Sequence, residues 1–257
     1  MNYPFKDGKD RPTLVCSIGA DNAPEVIATM RNAVYDGADA FLLHMEKLKP
    51  EYRNKKALEE IISYSENKTV LTLDYRMDGK TDEESAAMLL ESIDAGADCI
   101  DVFADMFDAR DVVCYTNAPE AVKKQKELIA AAHEKGAQVM SSVHIFEFAE
   151  PEKVLDIALD LEARGADIVK VAAQVNSERQ LVEGIRLTNM MRENLKVPFL
   201  HICMGQYGKA HRMIAPLFGS SMILCVQKYT EYSHKDKPLL RAAREVYNNI
   251  DYKRFRR

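Results

Sequence analysis

Two residues in this chain have side chains suited to carbonyl chemistry, and both stand in apolar runs. Lys170 lies in the middle of "GADIVKVAA" (165–173), and His144 ends "QVMSSVH" (138–144). Burying an ammonium group is costly unless it is paired or has lost its proton. A lysine in apolar surroundings is therefore expected to have a lowered pKa and to offer some free amine near neutral pH. A free amine attacks a ketone or aldehyde to form a Schiff base, whose iminium draws electrons and acidifies the adjacent C–H. A neighbouring histidine can remove that proton and later return it to a leaving group. The same residues have plainer readings: a lysine near a strand end can snorkel or meet a carboxylate, and a histidine in an apolar run can be a hydrogen-bonded core residue.

The elements that must position the pair follow from periodicity. Eight short apolar runs read as strands: "TLVCSI" from Thr13, "AFLLHM" from Ala40, "VLTLDY" from Val70, "CIDVF" from Cys99, "QVMSSVH" from Gln138, "IVKVAA" from Ile168, "FLHICM" from Phe199 and "MILCVQ" from Met222. Near-continuous apolar character is what strands buried on both faces of a parallel sheet show. Amphipathic stretches of helical length lie between them, such as "PEVIATMRNAVYDG" and "PEKVLDIALDLEARG". "GAD" recurs at Gly37, Gly96 and Gly165, and "GAQ" stands at Gly136, each joining a helix end to a strand start. Eight β-α units in 257 residues predict a single-domain α/β protein, a (β/α)8 TIM barrel spanning 1–257 with a short polar N-terminal segment and a charged C-terminal tail. The alternative is a doubly wound open sheet, but the first strand-to-helix turn, "CSIGADNAPE", lacks the glycine pattern of a dinucleotide site.

In such a barrel the chemistry lies at the C-terminal ends of the strands. Those ends offer Ser17, His44, the stretch 74–78, Phe103, His144, Lys170, Met204 and Gln227. Adjacent parallel strands lie about 4.8 Å apart, so His144 and Lys170 can share one pocket.

Several function classes are excluded. The net charge of −5 gives no basic footprint for nucleic acid. No run approaches about 18 apolar residues, so no membrane span is expected. The polar opening, "MNYPFKDGKDRP", lacks the apolar core of a signal peptide, and the five cysteines form no C-x-x-C pair. A reducing cytoplasm, no cofactor and no metal are expected, since histidines and carboxylates do not cluster at ligand spacing in the sequence.

The motifs also carry a resemblance. "SSVHIFEFAEP", "GADIVKVAAQVNS" and "HICMGQYGKAHRMIAPLFGS" resemble, in order and spacing, the histidine, lysine and M-G-x-x-G-x-x-S-R segments of type I 3-dehydroquinate dehydratase, across nearly the whole chain. The resemblance implies a (β/α)8 barrel with Lys170 as Schiff-base former and His144 as proton shuttle. It further implies Arg212 gripping a substrate carboxylate, Met204 at the pocket wall, Ser17 as a substrate contact, and a homodimer. The departures lie in the substrate shell. In "GADAFLLHMEK", Leu42 and His44 stand where the family has glutamate and arginine. Asp74 stands at a third-strand arginine, Phe103 at a fourth-strand glutamate, and the closing loop reads "YTEYSHKDKP" without P-G-Q. His44 and Asp74 are then expected to face an altered substrate, and Asp78 to replace an acidic group that the family carries after strand three.

The expected activity is that of a Schiff-base lyase eliminating water or an alcohol from a β-substituted ketone. The expected partner is a small-molecule ketone, anionic or polyhydroxylated: a keto acid or keto-sugar derivative other than dehydroquinate. The alternatives are an authentic 3-dehydroquinate dehydratase, a non-catalytic binding barrel, and an aldolase sharing the lysine chemistry.

Overall fold

The computed structural model describes residues 11–77 and 79–252. The polar opening segment, Asp78 and the end of the charged tail lie outside the described residues. Strands and helices alternate. They run β1 (Thr13–Ile18), α1 (Ala23–Asp36), β2 (Ala40–His44), α2 (Lys55–Ser63), β3 (Thr69–Leu73), α3 (Asp82–Asp94), β4 (Cys99–Phe103) and α4 (Pro119–Glu134). The second half continues with β5 (Gln138–Ile145), α5 (Pro151–Ala163), β6 (Ile168–Gln174), α6 (Glu178–Asn194), β7 (Phe199–Met204), α7 (Gly208–Ile214), β8 (Met222–Cys225) and α8 (Leu240–Asn248).

All strand pairs are parallel, in the order β7-β6-β5-β4-β3-β2-β1-β8. The last strand lies beside the first, which an open doubly wound sheet does not do. Across the remaining seam the Ser221 N–H donates to the Phe199 carbonyl at 2.9 Å, so the eight strands form a nearly closed (β/α)8 barrel.

The recurring "GAD" has a structural role. Gly37, Gly96 and Gly165 have φ of +94°, +106° and +109°, the left-handed region that a side chain disfavours. The aspartate that follows then clamps the preceding strand. The Asp39, Asp98 and Asp167 carboxylates each accept at 2.8 Å from the backbone N–H of Leu14, Val70 and Val139. Their own N–H groups donate at 2.9 Å to the carbonyls of those same three residues. Each clamp fixes where a new strand begins relative to its neighbour, and therefore which side chains point inward.

Alternation along β6 shows the result. Val169, Val171 and Ala173 pack with α5 and α6 residues in one apolar cluster, while Ile168 and Ala172 join the other. Lys170 lies between Ile168 and Ala172 on the second face, so the period of two turns its ammonium into the barrel.

Candidate active site

A cavity of about 630 Å³ opens at the C-terminal ends of the strands. Leu42, His44, Phe103, His144, Lys170, Met204 and Arg212 all line it. The sequence-derived residues His44, His144, Lys170, Met204 and Arg212 are thus brought together from β2, β5, β6, β7 and α7.

Lys170 is 3% exposed, and its Nζ lies 3.0 Å from Oδ2 of Asp101, a fully buried carboxylate on β4. Burial alone would push the Lys170 pKa down. The Asp101 charge and the Tyr75 hydroxyl outweigh it, and the ammonium form is held above its ordinary range. The expectation of a lowered pKa is corrected on this point: the lysine is buried with a carboxylate, not among apolar groups alone. Asp101 carries the same signal in "CIDVF" that Lys170 carries in its own strand, a charge inside an apolar run.

Tyr75 links the lysine to the histidine. Its hydroxyl is 3.4 Å from Lys170 Nζ and 3.0 Å from His144 Nε2. Its ring stacks on Phe103 at a centroid distance of 4.5 Å and an interplanar angle of 7°. Burial raises the Tyr75 hydroxyl to about 12, so it stays protonated and can bridge the two groups. Burial, together with the Lys170 charge, pushes His144 well below its ordinary range, leaving a neutral imidazole. Tyr75 falls within the strand-end stretch 74–78, and nothing in the local sequence marks its bridging role.

On the other side, Ser17 Oγ meets His44 Nε2 at 3.0 Å, and His44 Nδ1 meets Glu46 Oε1 at 3.0 Å. Lys237, from the 228–238 loop, donates to Ser17 Oγ at 2.8 Å. Arg212 pairs with Asp236 at 2.8 Å, while its Nε and Nη1 are buried without a partner among the described residues. Neither Lys237 nor Glu46 was singled out from the sequence.

Asp74 is placed differently from its expectation. Leu73 and Tyr75 line the cavity, so the residue between them faces away. Its buried carboxylate takes Lys80 Nζ at 2.9 and 2.7 Å and does not line the cavity. Asp78, also expected here, lies outside the described residues.

Among the described residues one further buried group, away from the cavity and without a carboxylate, brings histidine and cysteine side chains together. His201, Cys203 and His211 are buried, with ligand atoms within 4.8 Å of one another. His201 and Cys203 lie on β7 and His211 on α7, and the short turn joining the two elements brings them together. Both rings hydrogen-bond to Thr188 Oγ1, at 2.8 and 3.2 Å, and none of the three residues lines the cavity.

Comparisons with known proteins agree with the fold. A type I 3-dehydroquinate dehydratase from Clostridium difficile, solved with covalently modified comenic acid, superposes with a TM-score of 0.80 at 20% identity, over 96% of this chain and 95% of that one. The 3-dehydroquinate dehydratase of Pyrococcus abyssi is 26% identical over 210 residues, 81% of this chain and 86% of the relative. That of Alkaliphilus oremlandii is 32% identical over 107 residues, so the match spans 41% of this chain and less than half, 42%, of the relative. The model of the family described as type I 3-dehydroquinase matches residues 14–253, and the chain belongs to that family.

Proposed function

We propose that the protein is a Schiff-base-forming carbon–oxygen lyase in which Lys170 and His144 process a β-substituted ketone. The observation that supports this reading is the buried line Asp101–Lys170–Tyr75–His144, with successive contacts of 3.0, 3.4 and 3.0 Å at the mouth-facing end of the barrel. A non-catalytic barrel has no need to bury an ion pair beside a neutral imidazole, since such pairs add little stability of their own. Asp101 is the adjacent acceptor for the proton that Lys170 must lose before its amine attacks the carbonyl. Loss of water from the carbinolamine gives the iminium. His144 then takes the proton from the adjacent carbon, and the resulting enamine expels the β-oxygen, leaving a conjugated iminium that water hydrolyses.

The relatives' names make 3-dehydroquinate the first compound to test. The lining by Leu42 and Phe103 favours a different substrate, a keto acid or keto-sugar derivative presenting less hydroxyl to that wall. Arg212, with two unpartnered buried N–H groups, favours an anionic substituent. A homodimer, cytoplasmic residence and the absence of a cofactor belong to the same proposal, and sedimentation tests the first.

The test is intact mass after mixing the protein with 3-dehydroquinate and borohydride, followed by peptide mapping. An adduct on Lys170 that is lost in Lys170→Ala supports the imine. An adduct without turnover assigns the activity to another keto compound. If no member of a panel of keto acids and keto sugars is trapped by the folded protein, the imine mechanism is wrong.

A further inference from the structure

The cavity has a second titratable station on the wall opposite Lys170. Ser17 and His44 come from β1 and β2, while Lys170 and His144 come from β5 and β6, four strands away around the barrel. The hydrogen bonds there run in a chain. In the tautomer with Nδ1–H donating to the Glu46 carboxylate oxygen, His44 Nε2 accepts from the Ser17 hydroxyl. Ser17 Oγ in turn accepts from Lys237 Nζ. All four residues are largely shielded from water, and Lys237 is 6% exposed with no carboxylate within ion-pair distance among the described residues. Both Lys237 and His44 line the cavity.

Resting on the lyase reading above, we propose that Lys237 is the general acid that protonates the departing oxygen, and that Ser17, His44 and Glu46 are its positioning relay. His144 is held by Tyr75 on the far wall, where it meets the proton to be removed. The β-carbon is two bonds beyond the imine carbon, so a substrate extended across the cavity from Lys170 presents its β-oxygen toward Lys237, which lines the same cavity. There the Cβ–O bond breaks with its electron pair going to oxygen, and that oxygen takes a proton from Lys237 Nζ and leaves as water or an alcohol. The enamine electrons form the new Cα=Cβ bond and restore the iminium. Lys237 is left as an amine and His144 as an imidazolium, and one proton taken up from and one released to solvent reset the site. An acid near neutrality suits this step. Burial, reinforced by the Arg212 and Lys170 charges and opposed by Asp236 and Cys16, holds Lys237 at about 7. His44, facing Glu46, Lys237 and Lys170, is kept neutral chiefly by burial.

The test uses Lys237→Met and Lys237→Ala in the full chain, with 3-dehydroquinate as probe. Trapping by borohydride reports imine formation on Lys170, and single-turnover product release reports elimination. The expected result is an unchanged imine yield with elimination slowed on the order of 10²–10⁴-fold, partly restored in Lys237→Ala by added methylammonium. Unchanged elimination, or joint loss of imine and elimination, overturns the acid role. If the wild type forms no imine with 3-dehydroquinate or with any member of the panel of keto acids and keto sugars, the lyase reading fails, and a second measurement still decides the relay. Acetylation of Lys237 by trace anhydride as a function of pH reports its titration directly. A midpoint near neutrality that shifts in Ser17→Ala and His44→Gln supports the relay. A midpoint at the ordinary lysine value of about 10.4, or one unmoved by both variants, overturns it.

Discussion

Replacing Asp101 with asparagine keeps the shape of the side chain and removes its charge. Lys170 Nζ and Asp101 Oδ2 are 3.0 Å apart, with both side chains almost wholly out of water. At an effective dielectric of about 20, unit charges at that distance attract by roughly 5.5 kcal/mol. One pH unit corresponds to about 1.36 kcal/mol, so Asp101→Asn lowers the Lys170 pKa by up to about four pH units. Burial, which the carboxylate overrides in the native site, then governs, and the amine becomes the dominant form at a much lower pH. The assay is the pH dependence of Lys170 acetylation by trace anhydride, read by peptide mass in both proteins. The stability of the variant follows the same shift with its sign reversed. In the wild type the raised pKa contributes stability that is present below the unfolded lysine value and lost as pH rises through the folded one. In the variant the folded pKa lies below the unfolded value, so stability is lost as pH falls through it. The unpaired buried ammonium then costs about 3–5 kcal/mol, and the thermal midpoint recovers on moving to alkaline pH. An unchanged acetylation midpoint in a folded variant would refute the claim that Asp101 sets the charge of Lys170.

Three further outcomes are expected. His144→Ala retains borohydride-trappable imine and slows elimination by roughly 10²–10⁴-fold; an unchanged single-turnover rate removes His144 from the mechanism. Arg212→Ala raises KM for anionic ketones by roughly ten- to hundredfold, the worth of a charged hydrogen bond, and equal loss with neutral analogues assigns Arg212 to structure. Stability falls as pH drops below about 6.5, because burial depresses His144, His201 and His211 and only the unfolded chain takes up their protons at first. His211, pushed down to about 4, accounts for about 3 kcal/mol of that loss by itself. Denaturant midpoints in His211→Asn that keep the wild-type acid slope would contradict this.

Much of the fold and part of the site are legible in the residue order because local rules govern them. The eight apolar runs, the "GAD" glycines at positive φ and the strand-end positions of His44, His144, Lys170 and Met204 follow from periodicity and backbone sterics. Charge state and partnership were not legible, because they depend on groups far apart in sequence that meet only when the barrel closes. Asp101 lies 69 residues from Lys170 and reverses the effect of burial on its pKa. Tyr75 lies 69 residues from His144 and provides the bridge, while its neighbour Asp74, one residue out of phase, turns to Lys80 instead. Lys237 meets Ser17 across 220 residues. The sequence by itself determined which side chains the strands carry and, by their alternation, the face that His44, His144 and Lys170 occupy. Only the tertiary structure decided which charges face one another across the barrel, because electrostatic interaction depends on separation and burial in space, and neither is set by local pattern.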